Sequence, residues 1–313
     1  MRLIRRLGFL PSIAVPSPLR QCQRPHAPTR ETRFVSGKFI VPEPQRIAKL
    51  LARAGVASRR EVERMIAEGR IALDGAKLET PATILTSLKG VTVDGNPVQA
   101  AAPARLFRYH KPTGLLTAER DMKGRATIYD RLPKGLPRVV PVGRLDLATE
   151  GLLLLTTDGG LKRQLELPAT GIPRSYRART YGPVSQAQLE ELIHGIEIEG
   201  VRYGAIDANL ERRTGTNQWI ELTLKEGKNR EVRRVLEHLG LKVSRLIRTS
   251  YGPFALGDLP AGAVDEVKQD VLVAFQKALG TAKPQHAPDP AFEGKALRKH
   301  WRIAPKPKPR TPH

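Results

Sequence analysis

"VGRLDLATEGLLLLTTDG" occupies residues 142–159. Leu152 to Leu155 form an uninterrupted apolar run of the kind that fills a buried strand. Just ahead of it stand Arg144, Asp146, Thr149 and Glu150. Taken alone, Asp146 reads as a turn or cap residue, because a short carboxylate bonds readily to nearby backbone N–H groups. The other reading is a working carboxylate at the mouth of a rigid strand. The rest of the chain decides between them.

The chain has 313 residues, 40% of them hydrophobic, enough for one large domain and one small one. Its formal net charge is +22 and its pI about 10.6, which points to a polyanionic partner, either nucleic acid or an anionic membrane surface. Residues 1–43 and 281–313 each carry eight Lys/Arg against two acids, so about +10 of that charge lies on the middle of the chain. Cys22 is the only cysteine, which excludes an intramolecular disulfide and suits a reducing compartment. The seven histidines form no pair at metal-ligand spacing, so no metal is expected. The apolar runs fall far short of the roughly 20 residues of a membrane span, and no membrane partner is expected. A monomer in the cytoplasm is the simplest expectation.

The opening "MRLIRRLGFLPSIAVPSPLR" is Arg-rich and acid-poor. An organellar transit peptide, a poor secretory signal, a disordered arm and residues ahead of the true start are all open readings. Pro11 and Pro16 interrupt any helix there. The closing "APKPKPRTPH" is Pro/Lys-rich. Residues 1–43 and 281–313 are therefore expected to be disordered basic tails.

A first folded unit is expected over residues 44–103. Ile47, Leu50 and Leu51 have helical spacing, and Gly55 is placed to end that helix. Ser58 followed by Glu61 reads as a capping box for a second helix, with Val62, Met65 and Ile66 as its buried stripe. Short strands follow, with Asp74-Gly75 and Asp94-Gly95 as tight hairpin turns. Arg46, Lys49, Arg53, Arg59, Arg60 and Arg64 cluster on the two helices and read as a nucleic-acid surface. "AAAPAR", residues 100–105, looks like a linker. The second unit, residues 104–280, mixes strands and helices without the βαβ rhythm of a parallel sheet, so the class is α+β. In "QWIELTL", residues 218–224, Ile220, Leu222 and Leu224 share one face. "REVRRVLEHLG" is an amphipathic helix ended by Gly240, and "QLEELIHGI" is another helix.

The whole stretch "GRLDLATEGLLLLTTDG" resembles the signature of the pseudouridine synthases that modify ribosomal RNA. That group includes the small-subunit synthase A and the large-subunit synthases B, E and F. Further segments agree in order. "YHKPTGLLT" (109–117) is similar to the strand and loop before the signature. "RSYRART" (174–180) resembles the second motif, and "LKEGKNREVRRVLEHLG" (224–240) the third. "VSRLIRTSYGPFALGDLPAG" looks like the final strand and loop. The first unit resembles the RNA-binding domain named after ribosomal protein S4. "TNQW" together with "GKNREVRR" points to the large-subunit, B-type branch.

The resemblance implies a catalytic domain on a mixed, mainly antiparallel sheet. It implies isomerisation of uridine in ribosomal RNA, most closely 23S RNA or a large-subunit assembly particle, without a cofactor. Small-subunit or transfer RNA is the alternative substrate, and a non-catalytic RNA-binding protein the alternative role. The target base must be flipped into a pocket to be reached. By resemblance Asp146 is the carboxylate that acts at the ribose, as nucleophile or as base. Tyr176 stacks on the flipped uracil. Arg233 forms an ion pair with Asp146 that keeps it ionised, with Arg144 as a second partner. From the residues alone, Arg233 would instead pair with Glu237 four residues on. Lys228, Arg230 and Arg234 are expected along the phosphate path.

Overall fold

Helical spacing and turn chemistry put the first elements where the sequence predicts them. The computed structural model describes residues 33–35, 38–40 and 43–281. α1 (Ile47–Arg53) and α2 (Arg59–Ala67) pack over short strands through Ile47, Leu51, Val62, Ile66, Ile71 and Val91. The Ser58 hydroxyl accepts from Glu61 N at 3.2 Å, so half of the expected capping box forms. The other half does not, because the Glu61 carboxylate turns to Arg64 instead. Asp74 and Asp94 both have φ near +50° ahead of Gly75 and Gly95, the left-handed geometry that two-residue hairpins demand.

The larger sheet explains the opening stretch. In chain order its path strands are β1 (Leu106–Lys111), β2 (Thr149–Thr156), β3 (Arg174–Tyr181), β4 (Ile206–Thr214), β5 (Asn217–Leu224), β6 (Lys242–Tyr251) and β7 (Val264–Glu266). In space the order is β4-β5-β3-β6-β2-β1-β7, with two short strands pairing at the side. Only β2 and β6 run parallel; the other pairs are antiparallel. The mixed, mainly antiparallel sheet of an α+β domain is thus the architecture found.

All eight residues of β2 are buried. Leu152 and Leu154 face one core, with Leu161, Leu165 and Phe275. Leu153 and Leu155 face another, with Phe107, Tyr109 and Leu145. A strand covered on both sides needs the continuous apolar run seen in the sequence. Each fully buried leucine contributes about 1.5–3 kcal/mol, so β2 is a stiff mount for whatever precedes it. Gly151 lies opposite Arg248 across the β2–β6 pair, at φ +105°. An added Cβ would stand 2.6 Å from Arg248 N and closer still to its carbonyl oxygen, so only glycine lets these strands meet.

α3 (Gly159–Glu166), α4 (Glu231–His238) and α5 (Gln269–Thr281) cover the sheet. "QLEELIHGI" is a short α-helix, Gln186–Glu190, continued as a 3-10 turn. Among the described residues no helix is long and apolar enough to cross a membrane. Arg33–Val35 and Lys38–Ile40 form a separate antiparallel pair, with Phe34 opposite Phe39. The rest of both expected tails lies outside the described residues.

Candidate active site

Asp146 sits in the loop that delivers the chain into β2. Its backbone carbonyl closes a turn by accepting from Thr149 N at 3.1 Å. Its carboxylate caps nothing: among the described residues it takes no hydrogen bond, and its side chain is 38% exposed. The turn and an uncapped carboxylate are thus both present in one residue. The backbone does the turning and the side chain faces a cleft of about 610 Å³.

Tyr176 and Arg233 line the same cleft, as do Arg144, Lys228 and Arg230. Tyr176 is half-buried between two cores, beside a bulge where β3 shifts register against β6. The expected Arg233–Asp146 ion pair is not found. The guanidinium nearest Asp146 is that of Arg230, with Nη1 4.0 Å from Oδ2. Arg230 reaches it from a left-handed backbone, φ +49°, at the residue before α4. Arg233 lies one helical turn deeper and is buried. It donates to the carbonyls of Ala148, at 3.0 Å, and Val243, at 3.4 Å. Burial lowers its pKa, as does the like charge of Arg230, while the charges of Asp146 and Glu237 oppose the change. Arg233 therefore holds the backbone of the Asp146 loop and acts on the carboxylate at longer range. The Arg233–Glu237 surface pair does not form either.

Beneath the loop lies Lys111, a fully buried cation that sequence reasoning passed over. Its Nζ donates to the carbonyls of Pro112 and Asp146 at 3.1 Å, and of Thr149 at 2.9 Å. Burial pulls its pKa down to about 8, against the opposing charges of Asp146 and Glu150. The only sequence signal was a lysine ending a strand otherwise shaped for the core. Arg174 and Arg248 are two further buried cations on the cleft wall. Arg174 donates to the Lys225 and Glu226 carbonyls and to the Tyr251 hydroxyl, and Arg248 to the Leu152 carbonyl.

Glu231 opens α4 and is also buried, 4% exposed. Its Oε2 accepts from Lys228 N at 2.9 Å, and its own N–H returns to the Lys228 carbonyl at 3.3 Å. This reciprocal clasp fixes the turn that presents Arg230. Burial raises the Glu231 pKa to about 7.

The remaining predicted cations divide. Arg144 is exposed, as is Arg234, which does not line the cleft but is hydrogen-bonded with Tyr203. Lys228 lines the cleft while donating to the Arg202 carbonyl and pairing with Glu226. Arg53 is tied to Asp158, the N-cap of α3, at 2.7 Å, and Arg64 to Glu61 and Glu68. Arg46, Lys49, Arg59 and Arg60 form no ion pair among the described residues, which leaves them available to an anionic partner.

The sequence pattern of the family described as RNA pseudouridylate synthase matches residues 105–238, and that of the S4 domain matches residues 45–88. An uncharacterized RNA pseudouridine synthase of Rickettsia felis is 42% identical over 228 residues, covering 73% of this chain and 99% of that protein. A ribosomal large subunit pseudouridine synthase B of Escherichia coli is 42% identical over 231 residues, covering 71% of this chain and 79% of that protein. A crystal structure of a pseudouridylate synthase shares the fold, with TM-score 0.51 and 24% identity over 73% of this chain and 98% of that one. The chain belongs to the RNA pseudouridylate synthase family, isomerases that convert uridine in RNA to pseudouridine, with an S4 domain ahead of the catalytic one.

Proposed function

We propose that this enzyme isomerises a uridine of large-subunit ribosomal RNA, acting as a cytoplasmic monomer with Asp146 as its catalytic carboxylate. The observation that carries the reading is the convergence of Asp146, Tyr176 and Arg230 on one cleft. Likeness to the large-subunit synthase B proteins supports the choice of RNA.

The chemistry follows from what each side chain can do. The target uridine leaves its stack and enters the cleft, where the Tyr176 ring offers a flat apolar face to the base. The N1–C1′ bond breaks, the base turns, and C5 bonds to C1′; C5 gives up its proton and N1 gains one. C1′ is electron-deficient while the base is detached, and an anionic oxygen of Asp146 stabilises it, either by bonding to it or by removing a ribose proton. Arg230 and the deeper Arg233 place positive charge beside the Asp146 carboxylate. The free cations of α1 and α2, with Arg144, hold phosphates and so set the register of the RNA.

The test is Asp146→Asn, assayed for pseudouridine in ribosomal RNA. Product should vanish while RNA affinity stays within a few-fold. Unchanged yield would reject Asp146 as the catalytic group. Mapping pseudouridines in a deletion strain should reveal a mark lost from the large subunit. A mark lost only from small-subunit or transfer RNA would reject that target.

A further inference from the structure

Residues 118–126 form a projecting loop rooted beside Asp146. At its base the Thr117 hydroxyl donates to the Leu145 carbonyl at 2.9 Å and accepts from Leu145 N at 3.3 Å. The two ends are stitched together through Leu116, which donates to the Ala126 carbonyl and accepts from Ile128 N, both at 2.9 Å. The tip is organised by one side chain. Asp121 Oδ2 accepts from Lys123 N at 3.2 Å and from Arg125 N at 3.0 Å, while the Arg125 guanidinium grips both carboxylate oxygens. Gly124 closes the turn at φ +69°. The Arg125 contacts hold the Asp121 carboxyl well below the usual range.

This scaffold holds Met122 fully in solvent, 105% exposed. Single exposed apolar side chains are ordinary on protein surfaces. Here, however, a dense set of bonds fixes the backbone that displays one. Its neighbours Arg120 and Lys123 are exposed and form no ion pair among the described residues. Asp121 neutralises Arg125, so the spare positive charge lies on either side of the methionine. Met122 is five steps along the chain from Thr117, so the tip lies within about 18 Å of the residue bonded to Leu145. RNA lying over Asp146 is within its reach.

We infer that residues 118–126 are a preformed RNA-entering loop, in which Met122 packs against base faces beside the extruded uridine while Arg120 and Lys123 hold the flanking phosphates. The inference rests on the proposed use of the Asp146 cleft for a flipped nucleotide. Extrusion leaves a gap in a base stack, and an apolar wedge of methionine size fills such gaps. A fixed loop does so without being ordered at the moment of binding.

The test uses the full chain with in vitro transcripts of large- and small-subunit ribosomal RNA. Met122→Ser should slow product formation in the bound complex at least about tenfold, with Kd changed less than threefold. Arg120→Ala with Lys123→Ala should raise Kd about tenfold and flatten its salt dependence by about two phosphate contacts. A photocrosslinking benzoylphenylalanine in place of Met122 should join to RNA whether or not product forms. A Met122→Ser rate within twofold of the parent, or no crosslink to a transcript that binds, overturns the inference. Product on the small-subunit transcript alone would reject the large-subunit target, and the Met122 comparison would then be read on that transcript.

Discussion

Replacing Glu231 by Gln should reverse part of the pH dependence of folding. The carboxyl is 4% exposed, and burial moves its pKa from the usual 4.5 to about 7. Between those values the folded chain binds a proton that the unfolded chain has released. Stability from this group is therefore complete below pH 4.5 and is lost as pH rises through 7. At about 1.4 kcal/mol for each tenfold change, the loss is about 3 kcal/mol. Glutamine keeps an oxygen for Lys228 N but cannot ionise. Urea unfolding of both proteins at pH 5 and pH 8 isolates the effect, because titrating groups not coupled to Glu231 cancel in the difference. The Glu231→Gln protein should gain about 2.5 kcal/mol on the parent between the two pH values, since at pH 5 the unfolded carboxyl is already mostly ionised. A gain under about 0.5 kcal/mol would mean that Glu231 is not a buried carboxyl, and the clasp that presents Arg230 would lose its basis.

Lys111→Met removes three hydrogen bonds, two of them to the Asp146–Thr149 turn, and should lower kcat at least about tenfold with KM changed little, as steady-state assays on an RNA transcript would show. Arg230→Ala and Arg233→Ala should differ in kind. The exposed Arg230 should cost activity with stability unchanged within about 0.5 kcal/mol, whereas loss of the buried Arg233 should cost about 2 kcal/mol or more in a denaturation curve. Gly151→Ala should destabilise by more than about 3 kcal/mol, seen as a large fall in Tm, because Arg248 backbone occupies the place of the new methyl group. Asp158→Ala removes the cap on Gly160 and Leu161 of α3 as well as the Arg53 pair, and should cost about 1–2 kcal/mol.

The framework was legible where local chemistry decides structure. The alternation of Ile220, Leu222 and Leu224 gave β5, the Asp-Gly pairs gave their turns, and the leucine run gave β2. That Asp146, Tyr176 and Arg233 share one cleft was traceable, because a signature of many residues leaves little freedom of alignment. The identity of Asp146's nearest cation was not. It depends on a left-handed backbone at Arg230, which non-glycine residues adopt only when their surroundings impose it. The burial of Lys111, Arg174 and Arg248 was equally invisible, since their acceptors are backbone carbonyls that no side-chain pattern reveals. The Arg53 ion pair was equally hidden, because its carboxylate partner, Asp158, lies more than a hundred residues away.

The grip of Lys111 on main-chain oxygens has a practical bearing on how residue 146 can be probed. Whatever side chain stands there, the peptide beneath it keeps the same anchor. Amide, alanine or serine replacements at that position should leave the rim of the cleft in place. Their kinetics would then measure the missing carboxylate alone, without a collapsed loop confounding the result.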